Sequence, residues 1–240
     1  MNIFKTILNI LNLNFPKSIQ LIEAILSLNF TFFAKPMNHR FSTIYIKNIW
    51  GSKESKSGKG SILNQTATIR REIPQILGDI KAATLLDLPC GDFNWLQHVD
   101  LGLKKYIGGD IVPEIVAQNR KKYENDKRIF KLMDITTSKL PKVDIILCRD
   151  CLVHLSYKDI FAAINNFKKS KSTYLLSTTF VSRRINRNIF TGGWRPINLQ
   201  KSPFNFPPAI HVINEHCTEA NGRMADKSLG LWKIEDIPIR

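Results

Sequence analysis

The feature that most constrains this chain is a series of short apolar runs between residues 84 and 180, with helical spacing between them. Residues 84–88, 106–109, 128–133, 143–148 and 173–178 read as strands, because each is a brief apolar stretch bounded by turn or polar residues. Residues 113–124, opened by Pro113, and residues from about 158 to 167 read as helices, and residues 93–99 as a short one. Strands that alternate with helices are joined by crossovers, and crossovers put helices on both faces of a parallel sheet. The expected class is therefore α/β.

Beyond Phe180 the pattern changes. Residues 181–210 are rich in Arg, Asn, Gly and Pro and have no period, so they read as a long insert after the fifth strand. Residues 211–217 and 229–234 are strand-like and close enough in sequence to pair as an antiparallel hairpin. Upstream, residues 64–77 read as a helix. It is preceded by a polar Gly/Ser/Lys loop over residues 51–61, which lacks the Gly-x4-Gly-Lys-Ser/Thr phosphate-loop spacing. Residues 1–34 carry two apolar stripes at helical spacing, Ile3/Phe4/Ile7/Leu8/Leu11 and Ile19/Ile22/Ile25/Leu26, separated at Pro16. They are expected to pack as helices on the main domain or to touch a membrane surface peripherally. Their polar residues, Asn9, Asn12, Gln20 and Glu23 among them, argue against a cleaved leader or a membrane span. The organisation expected is a helical extension over residues 1–48 and one domain over residues 49–240.

The 240 residues are 43% hydrophobic and 23% charged, which excludes collagen-like, disordered and disulfide-scaffold classes. Four cysteines in a chain of this size need not form a framework, so they read as reduced thiols in a cytoplasmic protein. The net charge of +15 favours anionic partners such as nucleic acid, phosphorylated glycans or acidic lipid headgroups, unless it reflects only a Lys-, Asn- and Ile-rich composition. Eight basic residues and no acidic one lie between Ile160 and Asn214, with Phe190, Trp194, Phe204 and Phe206 interleaved. They form either a solvated face or a lid over an anionic or sugar acceptor.

In open parallel sheets, ligands bind beyond the carboxyl ends of the strands. There the chain places Asp87-Leu88-Pro89-Cys90-Gly91-Asp92-Phe93, then Asp110, Asp134, and Arg149-Asp150-Cys151-Leu152-Val153-His154. An acidic residue about 20 positions past the first turn can accept hydrogen bonds from both ribose hydroxyls. A glycine in that turn lets backbone approach a ligand. The Gly-x-Gly-x-x-Gly pattern that seats a pyrophosphate is missing. An adenosine ligand without pyrophosphate is the expectation, and S-adenosylmethionine (SAM) fits it. Cys148-x2-Cys151-x2-His154 has metal-ligand spacing, but the strand position of Cys148 argues against a metal site, and none is expected.

These strings, "LLDLPCGDFNW", "CRDCLVHL" and "KSLGLW", resemble a family of small, mostly bacterial class I SAM-dependent methyltransferases of unsettled substrate. Pro89 and Phe93 stand where the family's turn has its first and third glycines. The resemblance implies a Rossmann-like, mostly parallel seven-stranded sheet with a terminal antiparallel hairpin, plus N-terminal helices. It also implies a cofactor site of Asp87, Pro89, Cys90, Gly91, Asp110, Ile111, Asp134, Ile135 and Arg149. Asp87 and Gly91 would lie by the methionine moiety, Asp110 on the ribose, and Asp134 with Ile135 at the adenine. His154 is the candidate base for a hydroxyl acceptor, with Asp150 one helical turn earlier to orient it. The expected reaction is methyl transfer, by O-methylation, to a small-molecule or glycan-linked acceptor. The alternatives are an RNA methyltransferase and an inactive SAM-fold binding module.

Overall fold

The computed structural model describes residues 31–238, so the helices expected over residues 1–34 fall almost wholly outside the described residues. Thr31–Ala34 form one helical turn, in which the Phe32 and Phe33 rings meet edge to face at 5.2 Å. The unit from Pro36 onward holds one sheet of seven strands. They are β1 Thr84–Asp87, β2 Lys105–Asp110, β3 Arg128–Leu132, β4 Ile145–Cys148, β5 Tyr174–Phe180, β6 His211–Asn214 and β7 Lys227–Lys233. Their order is β3-β2-β1-β4-β5-β7-β6. β1 to β5 pair in parallel, and β7 runs antiparallel between β5 and β6. The α/β sheet and its closing hairpin are those expected from the sequence.

Alternation along each strand sends side chains to opposite faces. Leu85, Ile145, Leu147 and Leu176 share a cluster with Ile69, Ile73, Ile76 and Leu77, carried by the first helix to pack on the sheet, Ala67–Asp79. Leu86, Ile146 and Leu175 face the other way. They meet Ile160, Ala163, Ile164 and Phe167 of helix Tyr157–Ser170, where Trp232 also lies. Fully burying a side chain of this size stabilises the fold by roughly 1.5–3 kcal/mol. In chain order the helices are α1 Met37–Ile46, α2 Ala67–Asp79, α3 Pro113–Tyr123 and α4 Tyr157–Ser170. Ser156 caps α4 by accepting a hydrogen bond from the Asp159 amide.

Three local expectations differ. Residues 93–99 contain only a single 3-10 turn, Leu96–His98, because Phe93 takes a left-handed φ of 59° and breaks any helix there. β6 ends at Asn214 rather than at residue 217: the Glu215 amide still donates to the Lys227 carbonyl, while its side chain enters a buried ion cluster and the chain turns away at His216 with a left-handed φ of 51°. The insert of residues 181–210 has no regular element, yet it is packed. Ile197, Leu199, Phe204 and Phe206 are buried, and the Asn198 amide donates to the carbonyls of Val181 and Arg183.

Two sets of hydrogen bonds fix the region around the carboxyl end of β1. The polar loop of residues 51–61 folds onto the turn after β1 through Asp92. Its carboxylate accepts from Ser55 Oγ at 2.9 Å, Lys56 N at 2.8 Å and Ser57 Oγ at 3.1 Å. Helix α1 is tied on two sides: Tyr45 Oη donates to Gln118 of α3, and Arg40 donates to the Thr191 carbonyl of the insert.

Asp92→Ala should free this loop. It removes hydrogen bonds worth about 0.5–3 kcal/mol each, so trypsin should cut at Lys53, Lys56 or Lys59 faster than in wild type. Gly108→Ala tests the packing under the site. A Cβ there would lie 2.5 Å from Phe130 Cδ1 in a filled core. We expect a loss of about 1–3 kcal/mol, read as a lower urea midpoint at unchanged m value.

Candidate active site

Between the carboxyl ends of β1 and β4, where the strand order reverses, lies a cleft. Of the residues expected at the site, Asp87, Pro89, Cys90, Gly91, Asp110, Ile111, Ile135, Arg149, Asp150 and His154 line it. Asp134 is not among the lining residues. Its carboxylate accepts from the amide and hydroxyl of Thr136, closing the turn that presents Ile135.

The turn after β1 compensates for its missing glycines. Gly91 has φ 53°, and a Cβ there would sit 2.4 Å from Ser57 Oγ, so only glycine lets the loop close. Phe93 adopts the left-handed conformation at the third-glycine position. Packing of its ring against Tyr106, Tyr123 and Phe130 offsets that conformational cost.

The two carboxylates at the strand ends are buried but partnered. Asp110 accepts from the amides of Gly91 at 3.1 Å and Val112 at 2.9 Å. Burial raises its pKa to about 6 despite those donors. Asp87 accepts from the Tyr106 hydroxyl at 2.7 Å, and burial raises it to about 7. Its Oδ1 has no hydrogen-bond partner among the described residues.

Beyond β4 stands an ion cluster that sequence reading missed. Arg149 pairs with Glu215 at 2.6 Å and Asp150 at 3.3 Å, and donates to the Gly60 carbonyl at 2.8 Å. Lys227 pairs with Asp150 at 2.5 Å and Glu215 at 3.5 Å. Burial alone would raise the Asp150 carboxyl, but Lys227 and Arg149 outweigh it and hold it at about 2. Glu215 follows β6 and Lys227 opens β7, far along the chain, and only the closing hairpin brings them here.

His154 is held by other groups than expected. Asp150 is engaged by Lys227 and Arg149, and the imidazole Nδ1 lies 2.7 Å from the Gly193 carbonyl of the insert. A carbonyl only accepts, so Nδ1 carries the proton and Nε2 keeps its lone pair. The insert grips the whole turn. Arg195 donates to the carbonyls of Leu152 and Leu155, and the Gly192 amide donates to that of His154. Burial lowers the His154 pKa to about 4, so the ring is neutral near pH 7. The Trp50 ring stacks on it at 4.8 Å, and Phe41, Tyr45 and Met37 extend this apolar wall.

None of the eight basic residues between Ile160 and Asn214 lines the cleft. Arg195 is spent on carbonyls, and Arg183 pairs with Asp226. The lining holds four carboxylates, Asp87, Asp92, Asp110 and Asp150, against the single guanidinium of Arg149. The four cysteines are free and buried; Cys148 and Cys151 lie in the apolar cluster on the α4 side of the sheet. Among the described residues no helix is long and apolar enough to cross a membrane.

Residues 86–173 match the family described as a methyltransferase domain (Methyltransf_11). No curated protein sequence matches the chain. Among solved structures, the N-methyltransferase NodS from Bradyrhizobium japonicum WM9, in complex with S-adenosyl-L-homocysteine, is similar at 12% identity and a TM-score of 0.57. That match covers 79% of this chain and 97% of NodS. Human N-acetylserotonin methyltransferase, in complex with SAM, is similar at 12% identity and a TM-score of 0.52, over 84% of this chain and 60% of that enzyme. At these identities the likeness is one of fold. The strand order is that of the Rossmann-like class I methyltransferase fold, and the segment that matches a methyltransferase domain runs from β1 to the edge of β5.

Proposed function

We propose that the cleft transfers the methyl group of SAM to a small-molecule or glycan-linked acceptor. The observation that carries this reading is the cleft itself. Buried, partnered carboxylates stand at the ends of β1 and β2, and a neutral histidine stands across from them beyond β4.

The polar groups at the strand ends suit SAM. Asp110 would accept from the ribose hydroxyls while the Gly91 and Val112 amides hold its carboxylate in place. Asp87, with Oδ1 unpartnered among the described residues, would receive the methionine ammonium, and Gly91 leaves room for that chain. Ile111 and Ile135 would flank the adenine, with Asp134 fixing the turn that carries Ile135. Pro89 and Cys90 complete the floor, and Arg149 holds the loop of residues 51–61 through Gly60. Bound SAM supplies an electrophilic methyl on a sulfonium. His154 and Asp150 would meet the acceptor, which the wall of Trp50, Phe41 and Met37 shields from water. In this reading residues 49–240 form the catalytic domain, and α1 from the preceding segment supplies part of that wall.

Binding of S-adenosylhomocysteine, followed by calorimetry, tests the ribose assignment. Hydroxyl donors favour the ionised carboxylate, so binding must expel a proton wherever free Asp110 is protonated. Affinity should be flat only above the free Asp87 pKa of about 7, and fall as pH drops through it and then through the free Asp110 pKa of about 6. It should be about tenfold weaker one unit below that pKa, with Asp87 adding to the fall. Asp110→Ala should weaken binding at least about tenfold at pH 8. A flat profile down to pH 5, or an unweakened folded mutant, would contradict the assignment. His154→Ala should keep this affinity but lose transfer of label from methyl-labelled SAM into a small-molecule extract. A mutant that loses both would make His154 structural.

A further inference from the structure

We propose that the acceptor is an amine, held as its ammonium by Asp150 Oδ1 and the face of Trp50, and methylated on nitrogen. This inference rests on the methyltransferase reading above and departs from the hydroxyl acceptor expected from the sequence.

Charge on the cleft wall is the first argument. Four carboxylates and one guanidinium line it, on a protein whose net charge is +15. Asp92 is saturated by the loop of residues 51–61, and Asp110 and Asp87 lie on the cofactor side. Asp150 remains. Its Oδ2 takes both Lys227 and Arg149, whose side chains are only 5% and 4% exposed. Its Oδ1 accepts no hydrogen bond from the described residues, and the side chain keeps 24% of its surface open to the cleft. The buried cations are shared with Glu215, so they hold Asp150 ionised without covering it. An anionic acceptor would meet this carboxylate head on.

The second argument is the aromatic wall. Trp50 lies on His154 with ring centroids 4.8 Å apart, and Phe41 lies 6.5 Å from Trp50. Such a wall takes an apolar or ring skeleton and attracts a cation through its quadrupole.

The third is the chemistry asked of His154. A hydroxyl must lose its proton as it attacks, and a neutral imidazole buried enough to sit near pKa 4 is a poor base for that. An amine needs only a free lone pair. The ammonium first gives one proton to water. Its nitrogen lone pair then forms the N–CH3 bond as the C–S bond breaks, with that electron pair staying on sulfur. The positive charge passes from sulfur to nitrogen, beside Asp150, and leaves neutral S-adenosylhomocysteine. Nε2 of His154, which has no partner among the described residues, accepts a hydrogen bond from the amine N–H and aims the lone pair.

A matched pair of probes tests this: cyclohexylammonium chloride and cyclohexanol, titrated into S-adenosylhomocysteine-loaded protein at pH 7.5 and followed by tryptophan fluorescence. The ammonium should bind at least about tenfold more tightly. Its advantage should shrink as salt is added. Asp150→Asn keeps the shape and tolerates the left-handed φ of 51°, and it should remove the preference. Should that variant not fold, Trp50→Leu should weaken the ammonium more than the alcohol. Equal binding of the two probes to wild type, or a preference that survives Asp150→Asn, overturns the proposal. Wild-type protein that binds S-adenosylhomocysteine but shows no ammonium preference defeats this inference alone. Protein that binds no S-adenosylhomocysteine defeats the methyltransferase reading with it.

Discussion

The structure depends on one reversal of strand order. After β1 the chain builds outward through β2 and β3, then returns to lay β4 on the other side of β1. Parallel strands point their carboxyl ends to one edge, so the reversal leaves the turns after β1 and β4 on either side of a gap. The apolar core on both faces of the sheet stabilises this order. The carboxylates of Asp87 and Asp110 are a cost of it. Burial lifts both well above ordinary acids, and they persist because a tyrosine hydroxyl and backbone amides meet them.

Three later additions convert the gap into a cleft. The loop of residues 51–61 is drawn onto the first turn by Asp92. The closing hairpin delivers Glu215 and Lys227 to Arg149 and Asp150. The insert after β5 supplies Gly193 and Arg195, which fix the turn carrying His154. Each is anchored by polar side chains whose partners lie more than thirty residues away. The same anchoring explains why a strongly basic protein has an acidic cleft. The insert's Arg195 is a bracket for backbone carbonyls, and its guanidinium never reaches the lining.

Strands, helices and the strand-end acids were legible in the sequence because they follow local rules. Short apolar runs mark β1 to β5, Pro113 opens α3, and Asp87 and Asp110 close their strands. What escaped is non-local. Asp92 stands inside the first motif, and the serines that surround it form a loop that reads only as polar. Lys227 opens the "KSLGLW" string, yet nothing nearby says that it meets Asp150. Asp150 lies four residues before His154, as a helical turn would require, but the left-handed backbone at Asp150 turns it to Lys227 instead. Trp50 and α1 precede the sheet by more than thirty residues, and only the folded chain shows that they wall the cleft.

The central claim is that this cleft seats SAM with its ribose on Asp110 and its sulfur toward His154. A crystal structure of the complex with S-adenosylhomocysteine measures that directly. The account predicts both ribose hydroxyls within hydrogen-bond distance of the Asp110 carboxylate, about 2.5–3.0 Å, and the sulfur between Asp87 and the Trp50–His154 pair. Nucleoside bound away from Asp110, or a cleft left empty at saturating ligand, would contradict it.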